Sequence, residues 1–263
     1  MGKFVLSSGE TPCEGLRRAA TSEVHTALTS IQTLPPMEAI HEFRRATKRL
    51  RALLRIGMHL HDEQSETLNN HFRYLASKAS AVRDLAVRIR LIEKIKGKIS
   101  RPDELRFCER LEERWKTQLE LFNMDSLKAN LANGLRTALR LLPTYPGIDI
   151  SKDDLECVLK KACTKAKNAR KKALKARTPK NLHCWRKRTK TECNLRHLLS
   201  KTVKPSSKAR LKPLKRLGDL LGSDHDLVLL EENLARFHAP SKEIQAFICK
   251  KRARLQRQIF SKL

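Results

Sequence analysis

The sequence predicts an all-α protein built as two small up-and-down helical bundles that pack through or across a linker. Three observations predict it: a helix-forming composition, breakers spaced at helical lengths, and an internal repeat. Leu, Ala, Lys, Arg and Glu recur throughout, whereas the 263 residues hold only 9 Gly and 2 Tyr. These are good helix formers with few residues that favour strands. A chain of this length can bury a substantial core.

Breakers and caps divide the chain. The first half reads as helices over about 12–33, 37–61, 65–79, 81–97, 102–122 and 126–142. Pro143 to Gly147 is the linker. The second half reads as about 152–177, 179–201, 206–221, 224–237 and 240–262, with Gly222 taken as a break. The expected units are 1–146 and 147–263.

The two halves share a pattern. Ile40-His41-x-Phe43-Arg44-Arg45-x-Thr47-Lys48 resembles Leu182-His183-x-Trp185-Arg186-Lys187-x-Thr189-Lys190, 142 residues later. Arg83-Asp84-Leu85 resembles His225-Asp226-Leu227 at the same offset of 142. Two matches at one offset point to a duplication. Asp84 and Asp226 read first as carboxylates near helix starts, where free N–H groups favour them. A second reading has them orienting an Arg or His of a basic ridge.

Charge sets the function classes. The formal net charge is +28, and 22 Lys and Arg stand against one acid, Glu192, between Cys157 and Gly218. A solubilising surface intersperses both signs; a one-signed stretch attracts polyanions. The 7 cysteines show neither a CxxC pair nor zinc-ligand spacing, and read as reduced thiols of a cytoplasmic protein. No window is long and apolar enough to span a membrane. Leu6 stands where a myristoylation motif needs Ser or Thr.

Helical geometry resolves the charge into ridges. On 37–61, Phe43, Thr47, Leu50, Leu54 and Gly57 form the core face, and His41, Arg44, Lys48, Arg51 and Arg55 the opposite one. The same register in the second half gives His183, Arg186, Lys190, Cys193 and His197. A solvated outer face is the alternative, but these ridges lack the carboxylates that would relieve their repulsion. On 152–177, Leu155, Leu159, Ala162, Ala166, Ala169, Ala173 and Ala176 face the core. Lys165 and Lys172 flank one edge, Arg170 and Arg177 the other. Lys160, Lys167, Lys171 and Lys175 point to solvent. Either flanking pair could join the His183 ridge. Arg45, Lys187, Arg73 and Lys215 complete the candidate set.

On these residues the chain resembles the CHAD family, the conserved histidine α-helical domain. The first family signature stands as His41, Arg44, Lys48, Arg49, Leu50 and Arg51, the second as His183, Arg186 and Lys190. The resemblance runs from about residue 11 to the C-terminus. It implies two pseudo-twofold-related antiparallel helical bundles packed around a basic groove or channel that binds inorganic polyphosphate, at times on polyphosphate granules. After Lys190 the family's basic-Leu-Arg-Tyr run is replaced by Thr191-Glu192-Cys193-Asn194, with Glu192 on the core face and Arg196 one turn on as its expected partner.

Polyphosphate is thus the expected partner, bound without catalysis and with no cofactor or metal. A catalyst of phosphoryl transfer needs carboxylates to hold Mg²⁺, and the basic half has almost none. Nucleic acid is the alternative, since the same cations bind phosphodiesters. Single-strand binders also use aromatic platforms, and aromatics are only 5% here.

Overall fold

The computed structural model describes residues 4–203, 210–237 and 242–261, and these are all helix and connection, without a strand. The elements are α1 (Pro12–Thr33), α2 (Pro36–Leu53), α3 (Arg55–His59), α4 (Glu63–Lys78), α5 (Ser80–Lys96), α6 (Pro102–Glu120), α7 (Met124–Leu141), α8 (Lys152–Lys175), α9 (Pro179–Leu198), α10 (Leu211–Ala235) and α11 (Lys242–Phe260).

Local chemistry starts most of them. Thr11 and Glu14 form a capping box on α1, with Pro12 at the first helical position. Ser151 and Asp154 do the same on α8. The Thr178 hydroxyl accepts from Asn181 N ahead of Pro179 on α9, and the Asp62 carboxylate accepts from Ser65 N on α4. Between α3 and α4 the chain turns through His61, at φ 60. Gly57 is obligatory there, because a Cβ would lie 2.0 Å from Ser65 Oγ.

Two expected boundaries move. The helix read over 37–61 divides at Leu54, although Leu54 N still donates to Leu50 O. Gly222 breaks nothing: α10 runs through it, so the segments expected at 206–221 and 224–237 form one helix from Leu211. Residues 206–209 of that expectation lie outside the described residues.

The apolar interior falls into three clusters. Phe43, Leu50, Phe72 and Leu131 belong to the largest, which joins α1, α2, α4 and α7 to Leu155 of α8 and Leu195 of α9. A second joins Ile92 and Trp115 of α5 and α6 to Leu230 and Ile244 of α10 and α11. Trp185, Ala173, Leu221 and Ile259 form a third, between α8, α9, α10 and α11. The first two clusters cross the linker, so neither half of the chain closes its core alone. The linker itself is packed: Tyr145 is buried, and its carbonyl accepts from Arg17 Nε at 2.7 Å.

Candidate anion-binding groove

The expected core face of α2 is inside: Phe43, Thr47, Leu50, Leu54 and Gly57 are all buried. That orientation turns Arg44 and Lys48 outward. On α9, Leu182, Trp185, Thr189 and Glu192 are buried, which turns Arg186 and Lys190 outward in the same way. The two helices touch where Asn194 Nδ2 donates to Lys48 O at 3.3 Å. α5 and α10 meet beside them, and Arg83 donates across the contact to Asp226 at 2.8 Å.

Five cations converge here: Arg44, Lys48, Arg83, Arg186 and Lys190. Burial holds Arg44 below its ordinary pKa, and Arg83 and Arg186 add to that. Lys48 is pushed down to about 8 by burial, then by Arg186, Arg44, Arg83 and Lys190. Much of the Lys48 side chain touches solvent, yet protein closes in on several sides, as on the floor of an open groove. Burial also lowers Arg186, with Asp226 and Asp219 opposing and Arg83 assisting the fall. A cluster of like charges drawn partly out of water is destabilised in its charged form until an anion arrives, and only the lysines can relieve this by losing a proton.

The cations are held unequally. Arg44 donates to Ala76 O at 3.1 Å, at the carboxyl end of α4, where carbonyls lack helical partners. Lys190 donates to Asp219 at 2.7 Å. Arg83 pairs with Asp84 at 3.0 Å as well as with Asp226, and these carboxylates raise its pKa against the pull of burial. Arg186 Nε is buried with no hydrogen-bond partner among the described residues.

Two histidines stand at one side. The rings of His183 and His225 lie 4.2 Å apart, and His183 Nδ1 is buried without a partner among the described residues. Burial, and then Arg186 and Lys187, lower His183. Burial, His183 and Arg186 push His225 down to about 4. Both rings are neutral at pH 7.

The remaining candidates distribute as follows. His41 is exposed on α2. Arg51 is half-buried and donates to Asn69 at 3.1 Å, with the exposed Arg73 close enough to depress its pKa. Arg45 turns away from the groove and pairs with Glu42 at 2.7 Å. Arg55 opens α3 rather than continuing the ridge, and with Lys165 it lines a separate cavity. His197 packs on Phe4 at 5.8 Å, with Arg49 and Lys215 depressing its pKa after burial. Lys215 is exposed and lines a shallow recess with Asp219. Lys172 is exposed and Arg170 half-buried on α8, both outside the five-cation cluster. Lys160, Lys167, Lys171 and Lys175 are exposed as expected; Ala176, one residue past α8, is exposed rather than core. Glu192 does pair with Arg196, at 2.8 Å.

Asp84 and Asp226 do not stand at helix starts. Asp84 is a full turn inside α5, and Asp226 lies deep in the unbroken α10, so neither meets free N–H groups. They hold Arg83 instead, an arginine outside both predicted ridges.

Sequence reasoning left Arg83 and His225 out of the site, though their shared offset marked them as a matched pair. It also missed two glycines. A Cβ at Gly218 would lie 3.0 Å from Lys190 Cε, and one at Gly222 would lie 3.5 Å from Arg186 Nε. One turn apart on α10, they leave room for the two α9 cations. The Gly-x-x-x-Gly spacing was the available signal.

A search among curated proteins finds no match. Among solved structures, the chain is similar to the crystal structure of the CHAD domain from the plant Ricinus communis, with a TM-score of 0.60 at 19% identity, covering 97% of this chain and 89% of that one. That likeness concerns the fold. The family model for the CHAD domain matches residues 18–235. The matched span takes in both ridges, Arg83 and all but the C-terminal helix of the basic half, and the chain belongs to the CHAD domain family.

Proposed function

We propose that the protein binds inorganic polyphosphate in the groove formed by α2, α5, α9 and α10, and does not cleave it. The carrying observation is the convergence of Arg44, Lys48, Arg83, Arg186 and Lys190 from both halves of the chain. A polyphosphate is a flexible chain of dense charge without bases. Arginine forks and lysine ammonium groups provide what it needs, and no stacking platform is required. Both tryptophans, Trp115 and Trp185, are buried in the core, which favours polyphosphate over single-stranded nucleic acid. The groove's carboxylates support binding without turnover: Asp84 and Asp226 are engaged by Arg83, and Asp219 by Lys190.

We also read the site as the product of a duplicated unit. α1 packs on α2 as α8 does on α9, and α2 meets α9 while α5 meets α10. Among the described residues no helix is long and apolar enough to cross a membrane; a cytoplasmic place on polyphosphate granules is part of the proposal.

Calorimetric titration with long polyphosphate and with single-stranded RNA of equal phosphate content, at two salt concentrations, tests this reading. Polyphosphate binds more tightly at both, and Mg²⁺ brings no phosphate release. Equal affinity, or tighter RNA binding with base preference, would overturn it.

A further inference from the structure

A second cationic site lies away from the groove. α3, α8 and α9 enclose a cavity of about 290 Å³. Arg55, Lys161, Lys165 and Arg188 line it together with His59, and no carboxylate does. None of the five groove cations contributes to it. Arg55 and Arg188 are half-buried, and Lys161 and Lys165 are exposed at the rim. The four here have no ion pair among the described residues. Arg55 is held below its ordinary pKa by burial, and then by Arg51 and Arg188. Four positive charges facing one cavity without a carboxylate make it electropositive and attract an anion.

The cavity differs from the groove in a second way. Met58, Val158 and Leu195 provide an apolar wall behind the cations. Met58 and Ala162 keep accessible surface in that wall, and the buried Val158 and Leu195 back them. A polyphosphate chain has nothing to place against such a wall. A molecule with a phosphoryl group at one end and a carbon body at the other satisfies both surfaces. The volume stands at the small end of the range for ligand pockets, roughly 300–1,000 Å³, so the body is a single ring or a short chain.

The histidine sharpens the anion end. Lys161 Nζ lies 2.9 Å from His59 Nε2. An ammonium can only donate, so Nε2 accepts and the imidazole is neutral, with Nδ1 as its N–H donor. Lys161, though exposed, is thereby held on the cavity lining with Arg188 and Arg55.

We propose that the cavity between α3, α8 and α9 binds a small organic phosphate monoester, its phosphoryl group among Arg55, Lys161, Lys165 and Arg188 and its body against Met58, Val158 and Leu195. This site is independent of polyphosphate binding, and the chain then carries two anion sites of different chemistry.

Phenyl phosphate and inorganic phosphate serve as probes in calorimetric titrations of the full chain. Phenyl phosphate binds at one site about tenfold or more tighter than inorganic phosphate, as burial of a ring surface requires. Joint Lys161→Glu and Arg188→Glu substitution removes that binding and leaves long-polyphosphate binding unchanged. Ala162→Phe fills the cavity without altering its charge; it also removes phenyl phosphate binding while circular dichroism stays that of the parent. Joint Lys48→Glu and Arg186→Glu substitution leaves phenyl phosphate binding within about twofold, since neither side chain lines the cavity. Equal affinity for the two probes, or no binding of phenyl phosphate at millimolar concentration, overturns the proposal. So does loss of polyphosphate binding in the Lys161 and Arg188 variant, which would make the cavity an arm of the groove. If polyphosphate fails to bind the parent chain while phenyl phosphate binds as described, the groove reading fails and this one stands.

Discussion

Lys48 sits among its own sign, and its pKa of about 8 places its titration within reach of ordinary buffers. The free ammonium prefers to lose its proton; a bound anion reverses that preference. Binding at pH 8 to 9 therefore takes up a proton, and affinity falls as pH rises from 7 to 9. Titrations in buffers of different ionisation enthalpy measure the uptake, and Lys48→Arg abolishes it because a guanidinium keeps its charge. The sign for stability is opposite. The folded pKa lies below the unfolded value of about 10.4, so between these two values the unfolded chain holds more protons. Stability contributed by Lys48 rises across that window and is at its lowest, and constant, below about pH 8. His225, pushed down to about 4, leaves this comparison untouched.

At the scale of elements, two mid-helix glycines carry opposite predictions. Gly134 on α7 faces α4, where a Cβ would come within 2.4 Å of Leu75 Cδ2. Its carbonyl also lies 2.8 Å from His71 Nε2. Gly134→Ala gains about 1 kcal/mol of helix propensity but forces a packed interface apart at about 1–3 kcal/mol, so the net is destabilising. Gly218 faces only the flexible end of Lys190. Gly218→Ala keeps most of the same gain and is stabilising by up to about 1 kcal/mol, while polyphosphate affinity falls as Lys190 is displaced. Thermal unfolding of both variants, with a titration of the second, checks the pair. The same glycines explain what the sequence concealed. Helix starts were legible from Thr11-Pro12, Ser151 and Thr178-Pro179, whose capping chemistry is local. Gly222 read as a break because glycine weakens a helix, but the cost is about 1 kcal/mol, and the space it opens beside Arg186 depends on a neighbour 36 residues away. The division of α2 from α3 at Leu54 has no breaker in the sequence to announce it.

For the whole molecule, the groove needs both halves. The ridges of His41 and His183 could be drawn on helical wheels, but which cations meet depends on how α2 crosses α9 and α5 meets α10. Arg45 and Arg55 lay on or beside the predicted ridge, and tertiary neighbours took them elsewhere: Glu42 holds the first, and the start of α3 redirects the second. Three double charge reversals separate position from total charge. Arg44 with Lys48, and Arg186 with Lys190, each weaken polyphosphate binding severely and lower its salt dependence, because fewer counterions are released. Lys160 with Lys171, both exposed on α8, remove as much charge and cost much less, since distant exposed charges are screened over about 10 Å. All three retain their helicity by circular dichroism. Equal losses would mean that net charge alone governs binding.

The pairing of Lys190 with Asp219 gives the groove a threshold. Asp219 is 60% exposed and hangs from α10 at 2.7 Å from the ammonium, so it acts as a tethered rival to any incoming phosphate. Orthophosphate must evict it with a single group and gains little. A long chain meets the same rival while already gripped by Arg44, Lys48 and Arg186, and eviction becomes one small toll within a multivalent engagement. If the proposed function holds, the carboxylate sorts anions by valence instead of by shape. Asp219→Asn removes the rival: orthophosphate binding improves by about twofold to fivefold, the worth of an exposed ion pair, and long-chain binding proportionately less. Equal gains for both anions, read by competition titration, would show that Asp219 sets overall affinity and does not discriminate length.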